Sequence, residues 1–230
     1  MTETLNPAMT VLLTGFEPFD KDTVNPSWEV ARALAGWTFE AHGRIARVHA
    51  VQLPCVFGVA TDVLQQALQE CAPQLVVCLG LAGSRTDITP ERVAINVNDA
   101  RIPDNAGAQP IDTPVSEEGP VAYWSTLPIK AIARDLRAAG VPASVSNTAG
   151  SFVCNHVFYA LMHALAQQGG QARGGFVHLP LLPEQAARSQ PSPPSMGLAA
   201  QVEAIRLAIA LALRGDAGVA AGPDEGAPTS

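Results

Sequence analysis

Residues 74–80, "QLVVCLG", decide the fold class. This short apolar run, closed by a glycine, has the pattern of a strand covered on both faces. Outward from it, strand and helix patterns alternate. On the N-terminal side, "FGVATDVLQQALQE" has helical spacing, with Val59, Val63, Leu64 and Ala67 expected on one face. Before it, "RIARVHAVQLP" alternates as a strand does, "PSWEVARAL" is helical with Pro26 suited to a first turn, and "MTVLLTG" is another short buried strand ending at Gly15. On the C-terminal side, "ERVAINVNDAR" is extended, with Val93, Ile95 and Val97 alternating against polar residues. Then come a helix in "LPIKAIARDLRAAG" closed by Gly140, a strand and turn in "PASVSNTAG", and a long helix in "FVCNHVFYALMHALAQQ". A strand in "GGFVHLPLLPEQ" and a last helix in "MGLAAQVEAIRLAIALALR" complete the series. The alternation predicts an α/β fold: a mostly parallel twisted sheet sandwiched between helix layers in a single domain, residues 1–214. Residues 215–230 are small and polar and are expected to form a disordered tail. The stretch from Asp99 to Pro120 is too long for a plain connection, and such loops are often functional.

Of the 230 residues 47% are hydrophobic and 15% charged, with a net charge of −7. That supplies a core and argues against a nucleic-acid surface, which needs a basic face. The apolar run "AIRLAIALAL" contains Arg206 and is about half the length of a membrane span. The start "MTETLNPAM" lacks the pattern of a secretory signal, so a cytoplasmic protein is expected.

The four cysteines, Cys55, Cys71, Cys78 and Cys154, include no CxxC pair, which disfavours both a zinc site and a disulfide framework. Cys78 lies inside the apolar strand, where a free cysteine acts as a small hydrophobe. Cys154 is different. A turn of small residues, "SNTAGS", delivers it to a helix start, where the partial positive charge favours a thiolate. A core cysteine on an amphipathic helix is the equal alternative from position alone. Metal ligation is disfavoured, because Cys154 and His156 point apart at about 100° per residue and His156 and His163 lie about 10 Å apart along the axis.

A cysteine nucleophile needs a base. Of the five histidines, His178 stands near the end of the strand "GGFVHLP", and active residues of open α/β sheets gather at the carboxyl ends of strands. Cys154 follows "PASVS", so both can reach one sheet edge. His42, His49, His156 and His163 are expected to be structural. The acid that would orient His178 stays open among Asp87, Glu91, Asp99 and Asp104. Gly80 and Gly83 form a glycine-rich turn without the lysine and Ser/Thr of a P-loop. A non-catalytic small-anion-binding α/β protein using that turn is therefore the alternative function. A serine or metal-dependent hydrolase is disfavoured by the lack of GxSxG and HExxH strings.

Four blocks, in order, decide between these readings: "VLLTGFEPFDKDTVNPSWE", "GLAGSRTDITPERVAINVNDARIPDNAG", "SNTAGSFVCNHVFYALMH" and "RGGFVHLPLLPEQ". Together they span nearly the whole chain, and it resembles the pyroglutamyl peptidase I family of cysteine peptidases. The resemblance implies a Cys154–His178–Glu91 triad acting on peptides with an N-terminal pyroglutamate. It implies a lactam pocket of Phe16, Phe19, Leu81, Ile102, Phe152 and Val153. Arg101 and Asp104 are implied to border the site, with the Cys154 amide, helped by Arg101 or Arg85, holding the oxyanion. No metal and no cofactor are expected, and a homodimer or homotetramer is. One departure stands out: Leu81 occupies a position where relatives often carry glutamine, as in "GQAG".

Overall fold

Strand residues that alternate between two apolar faces must be covered on both, and the chain meets this with helices on each side of one sheet. The computed structural model describes residues 8–20 and 22–214; the proposed tail, 215–230, lies outside the described residues. The strands are β1 (Met9–Phe16), β2 (Thr38–Ala41), β3 (Arg44–Leu53), β4 (Leu75–Leu81), β5 (Thr89–Pro90), β6 (Val93–Ile95), β7 (Ala122–Trp124) and β8 (Arg173–Leu179). The helices are α1 (Pro26–Ala33), α2 (Val59–Cys71), α3 (Ile129–Ala138), α4 (Val153–Gln167), α5 (Pro183–Ala186) and α6 (Leu198–Arg214). The main sheet has the order β2-β3-β1-β4-β8-β5. Its four central strands are parallel, and β2 and β5 join antiparallel at the edges. None of the described helices is long and apolar enough to cross a membrane.

The two faces divide the core. Val11, Leu13, Val77, Leu79, Val177 and Leu179 meet α1, α3 and α6. Leu12, Val76, Cys78 and Phe176 meet α2 and α4. This odd–even split puts every second residue of β4 and β8 on the α4 face, Gly80 and His178 among them. At the end of β1, the Asn25 side chain accepts from the Ser27 amide at 3.1 Å and caps α1, while Ser27 Oγ accepts from Phe16 N at 2.9 Å. A Cβ at Gly15 would lie 2.3 Å from the Ser27 carbonyl oxygen, so only glycine lets α1 start this close to the strand.

Several expectations shift. The buried stripe of α2 is Ala60, Leu64, Ala67 and Leu68, and Val59 is exposed at its first position. In β6 Ala94, not Val93 or Ile95, is buried. The reason is that β6 leaves the main sheet, pairs only with β7 and presents one face to α4. The segment "PASVS" is not a strand; Ala143 and Ser146 make only single bridges to Ile88 and Glu91. The short β2, β5 and β7 carry too few residues to show a period.

Candidate active site

Helix α4 opens the site. Its N-cap, Phe152, provides no side-chain cap. The preceding Ser151 turns away instead, donating its hydroxyl to Asp99 O at 2.8 Å and accepting Asp99 N at 2.9 Å. The first-turn amides, Cys154 N–H among them, are thus left without a capping side chain. Asn155, fully buried, anchors this turn by accepting from Ile95 N at 3.0 Å and donating to Ile95 O at 2.9 Å and Val97 O at 3.0 Å. Cys154 is partly exposed, in contrast to buried Cys55 and Cys78. Its Sγ hangs over the sheet at Gly80, where an added Cβ would lie 2.9 Å from the sulfur and 2.7 Å from the Phe176 ring.

Gly80 is the register partner of His178 across β4 and β8, which separates them by one strand spacing, about 4.8 Å. Sheet register therefore brings the sulfur and the imidazole together. His178 and Glu91 are buried, and His178 Nδ1 lies 2.7 Å from Glu91 Oε1. Glu91 arrives there because β5 folds back on β8: Thr89 pairs with His178, and Glu91 N donates to Phe176 O at 2.9 Å. A carboxylate only accepts, so the Nδ1 of the imidazole carries the proton and Nε2 is left as the basic nitrogen.

Burial pushes the Cys154 thiol up, with Cys55 and Glu91 adding to the rise and Arg85 opposing it. Burial also lowers His178, against the upward pull of Glu91. Burial thus disfavours the charged form of each partner. Enclosure of the sulfur opposes the thiolate that the helix start favours. Burial likewise holds Cys55 and Cys78 protonated, each pushed up to about 12.

Beside the sulfur stands an aromatic group. Phe19 and Phe152 are tilted at 5.6 Å between ring centroids, and Phe57 meets Phe152 edge-on at 5.4 Å. Phe57 was not anticipated; its only signal in the sequence is an aromatic residue in the turn "LPCVFG" before α2. Glu17, also not anticipated, accepts from Cys55 N at 3.0 Å and Asn105 Nδ2 at 2.8 Å, joining three loops. His156 completes the support, touching Phe57 edge-on, with Nδ1 2.9 Å from Asn98 Oδ1 and Nε2 accepting from Gly58 N at 3.1 Å. Burial lowers it to about 4.

The expected site residues thus divide. His178 and Glu91 meet directly, Cys154 Sγ lies over Gly80, the register partner of His178, and Phe19 and Phe152 pack together. Phe16 and Val153 are buried in the core behind them, Phe16 against Phe176 at 6.4 Å. Leu81 is half-buried at the end of β4, beside Leu179. Ile102 is half-buried and Arg101 exposed on the long loop. Asp104 is a brace: its carboxylate accepts from Phe57 N at 2.9 Å, Ala106 N at 2.9 Å and Ala108 N at 2.8 Å. Arg85 directs its guanidinium to Glu91 at 2.7 Å and to the Thr148 carbonyl at 2.9 Å. The glycine-rich turn is packed rather than open, since Gly80 faces Phe176 and Cys154, and Gly83 faces Leu181. A separate groove of about 400 Å³ between α2 and α4, lined by Thr61, Gln65, Tyr159 and His163 among others, includes none of Cys154, His178 and Glu91.

A sequence model of the pyroglutamyl peptidases matches residues 9–215. The chain belongs to the pyroglutamyl peptidase family. It is 61% identical to pyrrolidone-carboxylate peptidase of Cupriavidus pinatubonensis over 205 residues, 89% of this chain and 93% of that protein. With the Klebsiella pneumoniae pyrrolidone-carboxylate peptidase it shares 59% over 204 residues, 89% of this chain and 92% of that one. Among solved structures, pyroglutamyl peptidase I from Bacillus amyloliquefaciens is similar with a TM-score of 0.87 and 45% identity, covering 94% of this chain and 100% of that one. A mutant pyrrolidone carboxyl peptidase from the hyperthermophile Pyrococcus furiosus gives 0.85 at 42% identity, covering 89% and 98%. As a pyroglutamyl peptidase the chain is a cysteine peptidase that removes N-terminal pyroglutamate.

Proposed function

We propose that this pyroglutamyl peptidase cleaves its substrate through Cys154 as nucleophile, His178 as general base and acid, and Glu91 as the acid that orients the imidazole. The observation that carries this reading is the buried His178–Glu91 bond of 2.7 Å, with Cys154 Sγ over Gly80, the register partner of His178. Because burial disfavours the charged forms of thiol and imidazole, the thiolate forms as the substrate is attacked. His178 Nε2 takes the thiol proton while sulfur adds to the carbonyl carbon that follows the lactam ring. The resulting imidazolium is stabilised by Glu91 and then protonates the leaving amine as the C–N bond breaks. Water, deprotonated by His178, hydrolyses the thioester, releases pyroglutamate and restores the thiol.

The substrate's first ring is neutral and has no ammonium to hold. Phe19, Phe57 and Phe152 supply an apolar wall suited to it. The ring N–H and C=O still need partners, at a cost of about 1–3 kcal/mol for each left unpaired. Backbone groups near Phe19 and Leu81 serve that purpose. Proline lacks the ring carbonyl and carries a charge, so it leaves those groups unpaired and is rejected. The uncapped Cys154 N–H holds the developing oxyanion, a contact worth roughly 3–4 kcal/mol. Arg101, on the exposed loop, is the second donor; Arg85 is committed to Glu91. The four free cysteines suit a reducing, cytoplasmic compartment, and exposed Val121 and Trp124 suit assembly into a homodimer or homotetramer.

The test is covalent labelling. Loss of pyroglutamyl-amidase activity on iodoacetamide treatment should track alkylation of Cys154, with pyroglutamate protecting, and Cys154→Ser should be inactive. Full activity in Cys154→Ser would refute the assignment.

A further inference from the structure

We propose that Arg85 is a positioning residue for catalysis: it shares one oxygen of Glu91 with His178, and by that shared contact it sets the proton balance of the Cys154–His178 pair. This rests on the reading of His178 as the base.

Three contacts define its place. Arg85 Nη1 lies 2.7 Å from Glu91 Oε1, the same oxygen that bonds His178 Nδ1. The same nitrogen donates to Thr89 Oγ1, and Nη2 donates to the Thr148 carbonyl at 2.9 Å. One planar fork thus joins the turn after β4, strand β5 and the loop that leads into Cys154.

The energetic need is visible at Glu91. Its side chain is wholly buried, and among the described residues its Oε2 has no hydrogen-bond partner. A carboxylate taken out of water requires a counter-charge. Neutral His178 cannot supply one at rest, so Arg85 does. When His178 takes the thiol proton, a second positive charge arrives at the oxygen that Arg85 already occupies. Arg85 therefore limits how strongly Glu91 can raise the basicity of the imidazole. Arg85 acts downward on both His178 and the Cys154 thiol, whereas Glu91 acts upward on both. Arg85 thereby opposes protonation of His178 in the resting enzyme and offsets part of the upward pull of Glu91 on the thiol.

Other charged and titratable groups near the pair are few in kind. Cys55 and Cys78 reach Cys154 from the turn after β3 and from β4, and both are protonated. Arg92, next to Glu91, is directed at Asn147, with Nε donating to Oδ1 at 2.7 Å. From the segment before α4, Thr148 presents a carbonyl. On the side of α3, Arg137 is held by the Ala143 carbonyl at 2.9 Å.

The experiment separates charge from the staple to Thr148. In a Cys154→Ala background, where no chemistry runs, the His178 ring is titrated by NMR with and without Arg85→Gln. The midpoint should rise by about one pH unit, the size of effect expected for a close ionic neighbour. In the active enzyme, the acid limb of kcat/KM should move up by the same amount. Activity at a pH one unit below the new limb then falls about tenfold from its plateau. Arg85→Lys retains the charge but not the fork, and should keep both midpoints near wild type while losing some stability. An unmoved His178 titration in folded Arg85→Gln, or Arg85→Lys behaving like Arg85→Gln, would overturn the proposal. Should Arg85→Gln fail to fold, the acid limb of Arg85→Lys decides alone: unmoved supports the charge, moved refutes it. Failure of the base assignment looks different, because wild-type activity would then follow a group other than His178 while the NMR comparison still reads Arg85.

Discussion

The edge of the sheet that carries the proposed triad and the loops that wall the proposed pocket are held in different ways. Cys154, His178 and Glu91 are set by register, by a helix start and by close packing; Gly80 leaves no room for even a methyl group beneath the sulfur. The loops around Phe19 and Phe57 are braced largely by hydrogen bonds, two carboxylates foremost: Glu17 bonds Cys55 and Asn105, and Asp104 bonds Phe57, Ala106 and Ala108. Packing cannot yield by small steps, whereas a hydrogen-bonded loop can loosen. Changes at the first region should therefore strike turnover, and changes at the second should strike substrate affinity.

The sharpest way to break this contrast is Gly80→Ala. Its new Cβ meets both the Phe176 ring and Cys154 Sγ. A nucleophile misplaced by about 1 Å costs on the order of 100-fold, so kcat should fall at least that far. Adding Phe176→Leu removes the ring contact but not the sulfur contact. Thermal stability should recover in the double variant while kcat stays low, and recovery of wild-type kcat would show that space for the sulfur is not the constraint.

A smaller effect is expected at the loops. In Asp104→Asn one carboxylate oxygen becomes an NH2 group, and the bonds to Phe57, Ala106 and Ala108 can no longer all be made. Losing about 1 kcal/mol of bracing should raise KM by about fivefold with kcat held within about twofold. Steady-state kinetics on a pyroglutamyl amide measures both, and a kcat loss larger than the KM rise would merge the two regions into one.

The smallest effect should come from Leu81→Gln. Leu81 has no polar side-chain atom, so in the proposed site the position would read the lactam through its backbone. Placing a glutamine there should change KM by less than about tenfold, the scale of one modest hydrogen bond. A hundredfold gain in affinity would show that the side chain matters.

Contiguous residues were enough to determine much of this molecule. The apolar runs of β1, β4 and β8 and the helical spacing of α1, α2, α4 and α6 are local periods, and together they dictate helices on two faces of a parallel sheet. The position of His178 at a strand end and of Cys154 at a helix start was legible for the same reason. The orienting acid was not. Asp87, Glu91, Asp99 and Asp104 are carboxylates in similar polar surroundings, and only the resemblance to known peptidases singled out Glu91. In three dimensions Glu91 is buried on His178, Asp104 braces a loop through backbone amides, and Asp99 is exposed. Nor did position reveal the commitment of Arg85 to Glu91, the arrival of Phe57 beside Phe152, or the burial that raises the thiol. Each depends on which distant segments enclose a group. Periodicity is written in neighbours along the chain, but the charge a side chain carries is set by its neighbours in space.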